Sequence, residues 1–163
     1  MGIEDKLAGV IDLVEKRAIT FSGYNGQDVA VGPIPPAYME EFSAKRNELL
    51  ACLADLSDTI ADKFLIDEEP TVEEIKEAIR INVCAAKFTP VFVGSALKNT
   101  GVQPLMDAIT HYLPSPLDKK NEAIDSKNGD AKVALDNSDP SKSFVGLAFK
   151  VQVTQFGQLT YIR

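Results

Sequence analysis

Apolar positions near the start of the chain follow the short period of β-strands. Residues 9–14 and 18–21 are rich in apolar and β-branched side chains. Asn25 and Gly26 follow, and both residue types tolerate the positive φ angles of a tight turn. The pattern predicts short antiparallel strands around this turn, and Pro33 then ends the pairing and starts a helix.

Helical periodicity replaces the strand pattern over the next segment. One apolar stripe predicts an amphipathic helix face directed at a core: Met39, Phe42, Leu49, Leu50, Leu53, Leu56, Ile60 and Phe64. Thr71, with Glu74 three residues later, predicts a capping box that begins another helix. The stripe of that helix is Ile75, Ala78, Ile79, Val83 and Ala86. We expect these amphipathic helices to pack on the small sheet.

A strand, a polar turn and a helix are predicted in the middle of the chain. The run FTPVFVG, residues 88–94, is typical of a strand buried on both faces, as in a parallel α/β sheet. Thr100 and Gln103 predict a second capping box, and Pro114 ends the helix. The predicted buried stripe of this helix is Val102, Leu105, Met106, Ile109 and Leu113. Such units bind ligands at the carboxyl ends of their strands, here residues 94–99.

The last part of the chain divides into a polar segment and a β-hairpin. Residues 114–142 are dominated by Asp, Asn, Lys, Ser and Gly, which predicts a mobile linker. Apolar residues then alternate over residues 145–153, and Phe156 and Gly157 turn the chain into a second strand. Two strands alone are marginal in water, so we expect the opening hairpin of a larger all-β domain.

Charge and composition exclude several classes of function. The net charge is −7 and the pI is about 4.7, so direct nucleic-acid binding is not expected. No apolar run is long enough to span a membrane, so no membrane partner is expected. Cys52 and Cys84 match no metal-ligand spacing and are interpreted as buried free thiols, so no metal site is predicted. The single histidine, His111, is interpreted as a helix-end residue and not a catalytic one.

Several stretches of the chain resemble one protein family. VFVGSALKNTGVQPLMDAITHYLPSPLD is similar to the fifth GTPase motif and following helix of translational GTPases of the elongation factor G family. GVIDLVEKRAITF, IPPAYMEEFSAKRNELL and TVEEIKEAIR resemble the subdomain that this family inserts into its GTPase domain. FVGLAFKVQVTQFGQLTYIR resembles the opening of the family's β-barrel second domain. The resemblance therefore covers nearly the whole chain apart from the linker.

The resemblance implies an internal fragment of mixed α+β and α/β fold. Its parts would be an inserted α+β subdomain at 1–87, the last strand and helix of a P-loop GTPase domain at 88–118, the linker at 119–142, and the first hairpin of a β-barrel domain at 143–163. The SALKN motif and the long linker are more similar to the mitochondrial form of the family. This similarity implies the mitochondrial matrix as the location, with the cytoplasm as the alternative.

The motifs that hold the phosphates, the magnesium ion and the guanine edge in this family do not occur in the sequence. It has no GxxxxGK phosphate-binding loop and no NKxD motif for the guanine edge. The resemblance implies a parent GTPase that uses GTP and Mg²⁺ to drive translocation of tRNA and mRNA through the ribosome. The fragment alone is expected to be inactive, with no nucleotide or metal bound.

The resemblance also implies a set of residues that contact the nucleotide. Ser95 would steady the guanine-reading aspartate of the missing motif, the Ala96 N–H would contact the guanine oxygen, and Leu97 would flank the base together with Lys98. From spacing alone, the alternative is a capped turn that binds no ligand.

Acidic residues form a second candidate site. Glu48, Asp55 and Asp58 are predicted to share the outer face of one helix, and the resemblance implies the stalk protein of the ribosome as their partner. The alternative interpretation of these carboxylates is ordinary solvated surface. A different function for the whole chain is a self-contained, non-enzymatic acidic module that binds a basic protein partner.

Overall fold

The computed structural model describes residues 1–2, 4–135, 139, 141 and 144–163. It divides into two units, residues 1–113 and residues 114–163. Both units mix small antiparallel sheets or hairpins with loops, and the helices lie in the first unit. The architecture is therefore mixed α+β, as the sequence pattern predicts.

A three-stranded antiparallel sheet opens the first unit. Its strands are β1 (Gly9–Asp12), β2 (Arg17–Ser22) and β3 (Asp28–Gly32), in the order β1-β2-β3. In the connection between β2 and β3, Asn25 has φ 53° and Gly26 has φ 60°. The predicted strands around an Asn-Gly turn are thus confirmed, because both residues adopt the left-handed backbone that these residue types tolerate.

Three helices follow the sheet, where the apolar stripes predict helical structure. They are α1 (Met39–Ala54), α2 (Asp58–Leu65) and α3 (Val72–Cys84). The single helix predicted for the first stripe is wrong, because the chain breaks between α1 and α2. Ser57 is extended there, with φ −144° and ψ 116°, and serine favours this position before a helix. The apolar period continues across the break, so periodicity alone does not detect it.

The capping box predicted for α3 is confirmed. The Thr71 hydroxyl accepts from the Glu74 N–H at 3.2 Å, and the Glu74 carboxylate accepts from the Thr71 N–H at 2.8 Å. Lys63 of α2 also donates to this carboxylate at 2.8 Å, and its hydrogen bond is the main cause that holds the pKa of Glu74 below the ordinary value. The Glu74 carboxylate therefore caps the start of α3 and also links α3 to α2 through Lys63.

Side chains from all four helices build the core of the first unit. The cluster comprises Leu50, Leu53, Ile60, Ile75, Ala78, Ile79, Ala108 and Tyr112. Leu53, Ile60 and Ile75 are fully buried, and they come from α1, α2 and α3 respectively. Burying one such side chain stabilises the folded state by about 1.5–3 kcal/mol. These three residues therefore contribute strongly to the packing of α1, α2 and α3.

The fourth helix, α4 (Val102–Tyr112), buries a different face from the one predicted. Its buried residues are Ala108 and Tyr112, which pack in the cluster with α3. Leu105 is 42% exposed and Met106 is 59% exposed, and Ile109 and Leu113 are exposed as well. The predicted stripe is therefore wrong in this chain, because the described residues place no sheet against it.

The predicted strand at residues 88–94 and the capping box after it are also wrong. Val91 is 85% exposed, and no strand is assigned in this run because the described residues supply no neighbour to pair with it. The residue before α4 is Gly101, at φ 78°, and not Thr100. Thr100 is buried one position earlier and pairs with Ser95 through its backbone.

The second unit consists of two β-hairpins. Strands β4 (Asn121–Asp125) and β5 (Ala131–Leu135) pair within the segment predicted to be a mobile linker. The prediction of a linker without regular structure is therefore wrong for residues 121–135. Residues 136–138, 140 and 142 of the predicted linker, and residue 143 at the start of the predicted β-barrel domain, lie outside the described residues. Strands β6 (Ala148–Thr154) and β7 (Gly157–Ile162) form the predicted last hairpin, with the turn at Gly157. The domain boundaries themselves stay predictions.

Arg46 of α1 joins the helices to the sheet. Its side chain is buried, and it donates to Glu69 Oε1 at 2.9 Å, to the Val14 carbonyl at 3.2 Å and to the Leu13 carbonyl. A buried cation is tolerated only when it is paired in this way. One guanidinium thus contacts the β1–β2 turn and the segment before α3.

We expect the substitution Arg46→Ala to lower the free energy of unfolding by about 2–4 kcal/mol, because it leaves polar groups of the β1–β2 turn without donors. The matched control is Lys45→Ala, which removes an exposed pair with Glu48 and should change stability by less than about 1 kcal/mol. Urea unfolding followed by circular dichroism measures both. Equal effects of the two substitutions would contradict the role given to Arg46.

Candidate functional site

Residues 95–100 form a closed turn between the extended run and α4. The Ser95 N–H donates to the Thr100 carbonyl at 2.8 Å, and the Thr100 N–H donates back to the Ser95 carbonyl at 3.0 Å. Inside the turn, the Asn99 N–H donates to the Ala96 carbonyl at 3.2 Å. These bonds hold the 95–100 turn in one conformation although no strand flanks it.

The tip of the 95–100 turn carries unused backbone donors. Among the described residues, the N–H groups of Ala96 and Leu97 have no protein acceptor. The Ser95 hydroxyl accepts from the Lys98 N–H at 3.4 Å, and the Leu97 side chain is 93% exposed. Adjacent N–H groups in a fixed turn suit an acceptor such as a carbonyl oxygen. The two N–H groups are therefore available to an acceptor outside the turn.

The 95–100 turn contacts the β2–β3 connection, residues 23–27. Gly26 is buried against it, and the Gln103 amide donates to the Gly26 carbonyl at 3.5 Å. An open pocket of about 340 Å³ lies where the two segments meet, and its walls include Asn25, Leu97 and Lys98. The sheet and the segment formed by the 95–100 turn and α4 lie far apart in the sequence, and they meet at the candidate site.

The acidic residues do not lie on one helix as predicted. Glu48 is exposed on α1 and pairs with Lys45 at 2.7 Å. Asp55 follows the end of α1, whereas Asp58 begins α2, so the shared helix face is wrong. All three side chains are exposed, which keeps them available to a partner.

The single histidine and the two cysteines lie outside the walls of the pocket at the 95–100 turn. No group of histidine, cysteine, aspartate and glutamate suited to a metal ion occurs in the part of the chain that the structure describes. His111 is exposed in the last turn of α4, as predicted. Cys52 is exposed and Cys84 is half-buried, which corrects the prediction that both thiols are buried. Within the described residues, none of the helices has the length and apolar character that a membrane span needs.

A second pocket, of about 330 Å³, surrounds Arg46 and was missed by the sequence analysis. Its walls combine apolar residues such as Phe42 and Phe64 with Lys16 and Glu69. A signal was present, because Arg46 lies four residues after Phe42 and four before Leu50, at a buried position of the α1 stripe. An arginine in such a position indicates a paired, buried cation.

Comparison with known proteins identifies relatives that match this chain over its whole length. No family model matches the chain. Elongation factor G 2 of Bdellovibrio bacteriovorus is 47% identical over 163 residues, which is all of this chain and 23% of that protein. The mitochondrial elongation factor G-1 of Arabidopsis thaliana is 43% identical over the same length, which is 22% of that protein. The chain belongs to the elongation factor G family. It spans less than a quarter of the length of these relatives.

The fold of this elongation factor G segment also matches a solved structure. The crystal structure of a protein from Thermus thermophilus aligns with all of this chain at a TM-score of 0.72, over 22% of its own length and with 24% sequence identity. This match supports the fold alone. The family predicted from the motifs is confirmed, and an independent acidic module unrelated to elongation factor G is not favoured.

Stability of the first unit should fall in acid because two carboxylates depend on cations. Hydrogen bonding to Lys16, with a further contribution from Arg46, holds the pKa of Glu69 below its ordinary value of 4.5. Hydrogen bonding to Lys76, with help from Arg17, does the same for Glu15. As the pH falls below about 4.5, these two carboxylates take up protons in the unfolded chain but stay ionised in the folded chain. Their stabilisation is therefore complete above about pH 4.5 and is lost as the pH falls through the lowered values.

We expect Glu69→Gln to flatten this loss, because the neutral amide cannot titrate. Urea midpoints measured between neutral pH and pH 3 would show a smaller decrease for the variant than for the unchanged chain. Glu77→Gln, at an exposed carboxylate of α3, is the matched control and should leave the slope unchanged. A slope that is the same for all three chains would contradict the assignment.

Proposed function

We propose that this segment is part of a GTP-dependent elongation factor that drives movement of tRNA and mRNA through the ribosome. The single observation that supports this proposal is the closed 95–100 turn with its free N–H groups at Ala96 and Leu97. It occurs in a chain that is 47% identical to an elongation factor G. The turn has the donors that the oxygen of a guanine base requires.

Three residues of the 95–100 turn take roles at the guanine base in this proposal. The Ala96 N–H donates to the guanine oxygen, and the Leu97 side chain covers one side of the base. Ser95 steadies the guanine-reading aspartate, which comes from another part of the full-length factor. Guanine thus fits the donors that are present, and backbone donors bind it without loss of side-chain entropy.

The phosphates and Mg²⁺ of the nucleotide are assigned to other parts of the full-length factor. A magnesium site needs oxygen ligands around one point, and the described residues contain no suitable carboxylate group. In this proposal, GTP hydrolysis takes place on those other parts, and the segment by itself is inactive. Its role in the GTPase is to bind and orient the base.

We propose that residues 1–87 are an inserted subdomain and that residues 88–118 complete a GTPase domain. Residues 143–163 would then begin a β-barrel domain, after a connecting segment at 119–142. Exposed apolar residues support this division, since Val91 and the Leu105 and Met106 side chains of α4 form surface that a neighbouring sheet would cover. The helical core at Leu53 and Ile75 needs no such cover.

The protein partner proposed for the acidic residues is the ribosomal stalk protein. The exposed carboxylates of Glu48, Asp55 and Asp58, within a chain of net charge −7, support attraction of a basic domain. For the location, the similarity of the SALKN motif supports the mitochondrial matrix, and the cytoplasm is the alternative. The relatives include one mitochondrial protein and one bacterial protein.

The nucleotide role predicts different results for the segment and the full-length factor. Titration calorimetry should detect no micromolar binding of GTP or GDP to this segment, because it has no phosphate ligands. In the full-length factor, Ser95→Ala should weaken GDP binding about tenfold, which corresponds to about 1.4 kcal/mol. Ser43→Ala, at an exposed hydroxyl of α1, is the control and should have no effect. Guanine-selective binding by the segment alone would contradict the proposal.

The partner role predicts a change in association rate. Reversal of Glu48, Asp55 and Asp58 to Lys should slow association with the stalk protein and weaken its dependence on salt, because long-range attraction is lost. Stopped-flow measurement at low and physiological salt tests this, with circular dichroism as the check on folding.

The control for the partner experiment is a variant with the same change in net charge at Asp5, Glu77 and Asp107, which are exposed elsewhere in the first unit. It should slow association much less if the proposed residues form the contact. If both triple variants slow association equally, only the net charge matters and the assigned site is wrong.

A further inference from the structure

At Gly26, the β2–β3 connection lies directly against the backbone of the 95–100 turn. Gly26 is buried and has φ 60°, a conformation that L side chains rarely adopt. A Cβ atom at this position would lie 2.5 Å from the Lys98 carbonyl oxygen and 3.1 Å from the Asn99 carbonyl oxygen. Both neighbours are backbone atoms of the turn, so they move only if the turn itself moves.

Gln103 joins the same connection to the first turn of α4. Its Nε2 donates to the Gly26 carbonyl at 3.5 Å. Its Oε1 is buried and has no hydrogen-bond partner among the described residues. A buried amide oxygen without a hydrogen-bond donor lowers the stability of the fold. The Gln103 side chain is therefore held in place by packing between α4 and the connection. The connection, the turn and the start of the helix therefore meet at one place.

Lys98 is held from two sides. Its carbonyl faces Gly26, and its ammonium group donates to the Asp5 carbonyl near the start of the chain. The Lys98 N–H is used by the Ser95 hydroxyl. Of the described residues around the tip of the turn, only Ala96 and Leu97 retain unpaired N–H groups. Displacement of Lys98 would therefore displace the neighbouring donors as well.

We propose that Gly26, together with Gln103, positions the 95–100 turn so that the Ala96 N–H meets the oxygen at position 6 of guanine. This inference rests on the nucleotide role proposed above. Hydrogen bonds weaken steeply with small changes of distance and angle, so a shift forced by a Cβ atom would reduce base recognition. Gly26 is a positioning residue, since it acts on the base only through the turn. The small sheet thus contributes to guanine specificity without touching the nucleotide.

The test uses the full-length factor and compares two diphosphates. One is GDP, and the other is the diphosphate of 2-aminopurine riboside, which lacks the oxygen at position 6. Gly26→Ala should weaken GDP binding about tenfold and leave the affinity for the analogue unchanged, so that discrimination between the two falls. A merely structural loss would weaken both ligands equally and preserve their ratio. Equilibrium titration measures the four dissociation constants.

The matched control is Gly32→Ala on β3. A Cβ atom at Gly32 would have no atom within 4 Å, so the same substitution should leave both affinities unchanged. Gln103→Leu is the second variant, because it removes the amide link without adding an atom beside Lys98. We expect it to weaken GDP binding about threefold, again without affecting the analogue. If Gly26→Ala fails to fold, as shown by circular dichroism, the Gln103→Leu result decides the question alone.

The outcomes separate the positioning role from the nucleotide role. Loss of discrimination in Gly26→Ala or Gln103→Leu, with Gly32→Ala unchanged, supports positioning. If Ser95→Ala weakens GDP binding but the Gly26 and Gln103 variants keep full discrimination, the positioning role is wrong and the nucleotide role stands. If the unchanged factor binds both diphosphates equally and Ser95→Ala has no effect, the nucleotide role fails, and the positioning role fails with it. Equal weakening of both ligands by Gly26→Ala also overturns the positioning role.

Discussion

The first unit depends on the pairing of one buried cation. Arg46 occupies a position in the apolar stripe of α1, where a charge without partners would be strongly unfavourable. Its partners come from the β1–β2 turn and from Glu69, so the cation is satisfied only when sheet, helix and loop are assembled together. The apolar core supplies most of the driving force, whereas Arg46 decides where the sheet lies on it.

The position of the sheet also determines the position of the β2–β3 connection, which lies at the opposite end of β2 from the β1–β2 turn. Since β2 pairs with β3 over five residue pairs, the β2–β3 connection moves with the sheet. Glu15 adds a second tie, because it pairs with Lys76 of α3 and with Arg17 of β2, at 2.8 Å in the latter case. The connection is thus placed against the 95–100 turn by contacts that lie far from it. The 95–100 turn, which no strand flanks in the described residues, is thus supported by the connection between two strands of the small sheet.

Two capping-box patterns show when local sequence predicts local structure. Thr71 and Glu74 form the predicted box, because nothing else in the described structure competes for their backbone groups. Thr100 and Gln103 have the same spacing, but the Thr100 backbone pairs with Ser95. The Gln103 amide in turn donates to the Gly26 carbonyl. A local motif therefore predicts the structure only where no tertiary contact offers its groups a better partner.

The sequence by itself determined the family, the Asn25-Gly26 turn, the start of α3, the last hairpin and the residues of the 95–100 turn. These features depend on backbone preferences and on residues close in sequence, so motifs and periodicity are enough to predict them. Only the tertiary structure decided that Ala108, and not Leu105, is the buried residue of α4, and that Gly26 touches the carbonyl of Lys98. Burial and contact between distant residues depend on which surfaces are available to pack, and no local pattern contains that information.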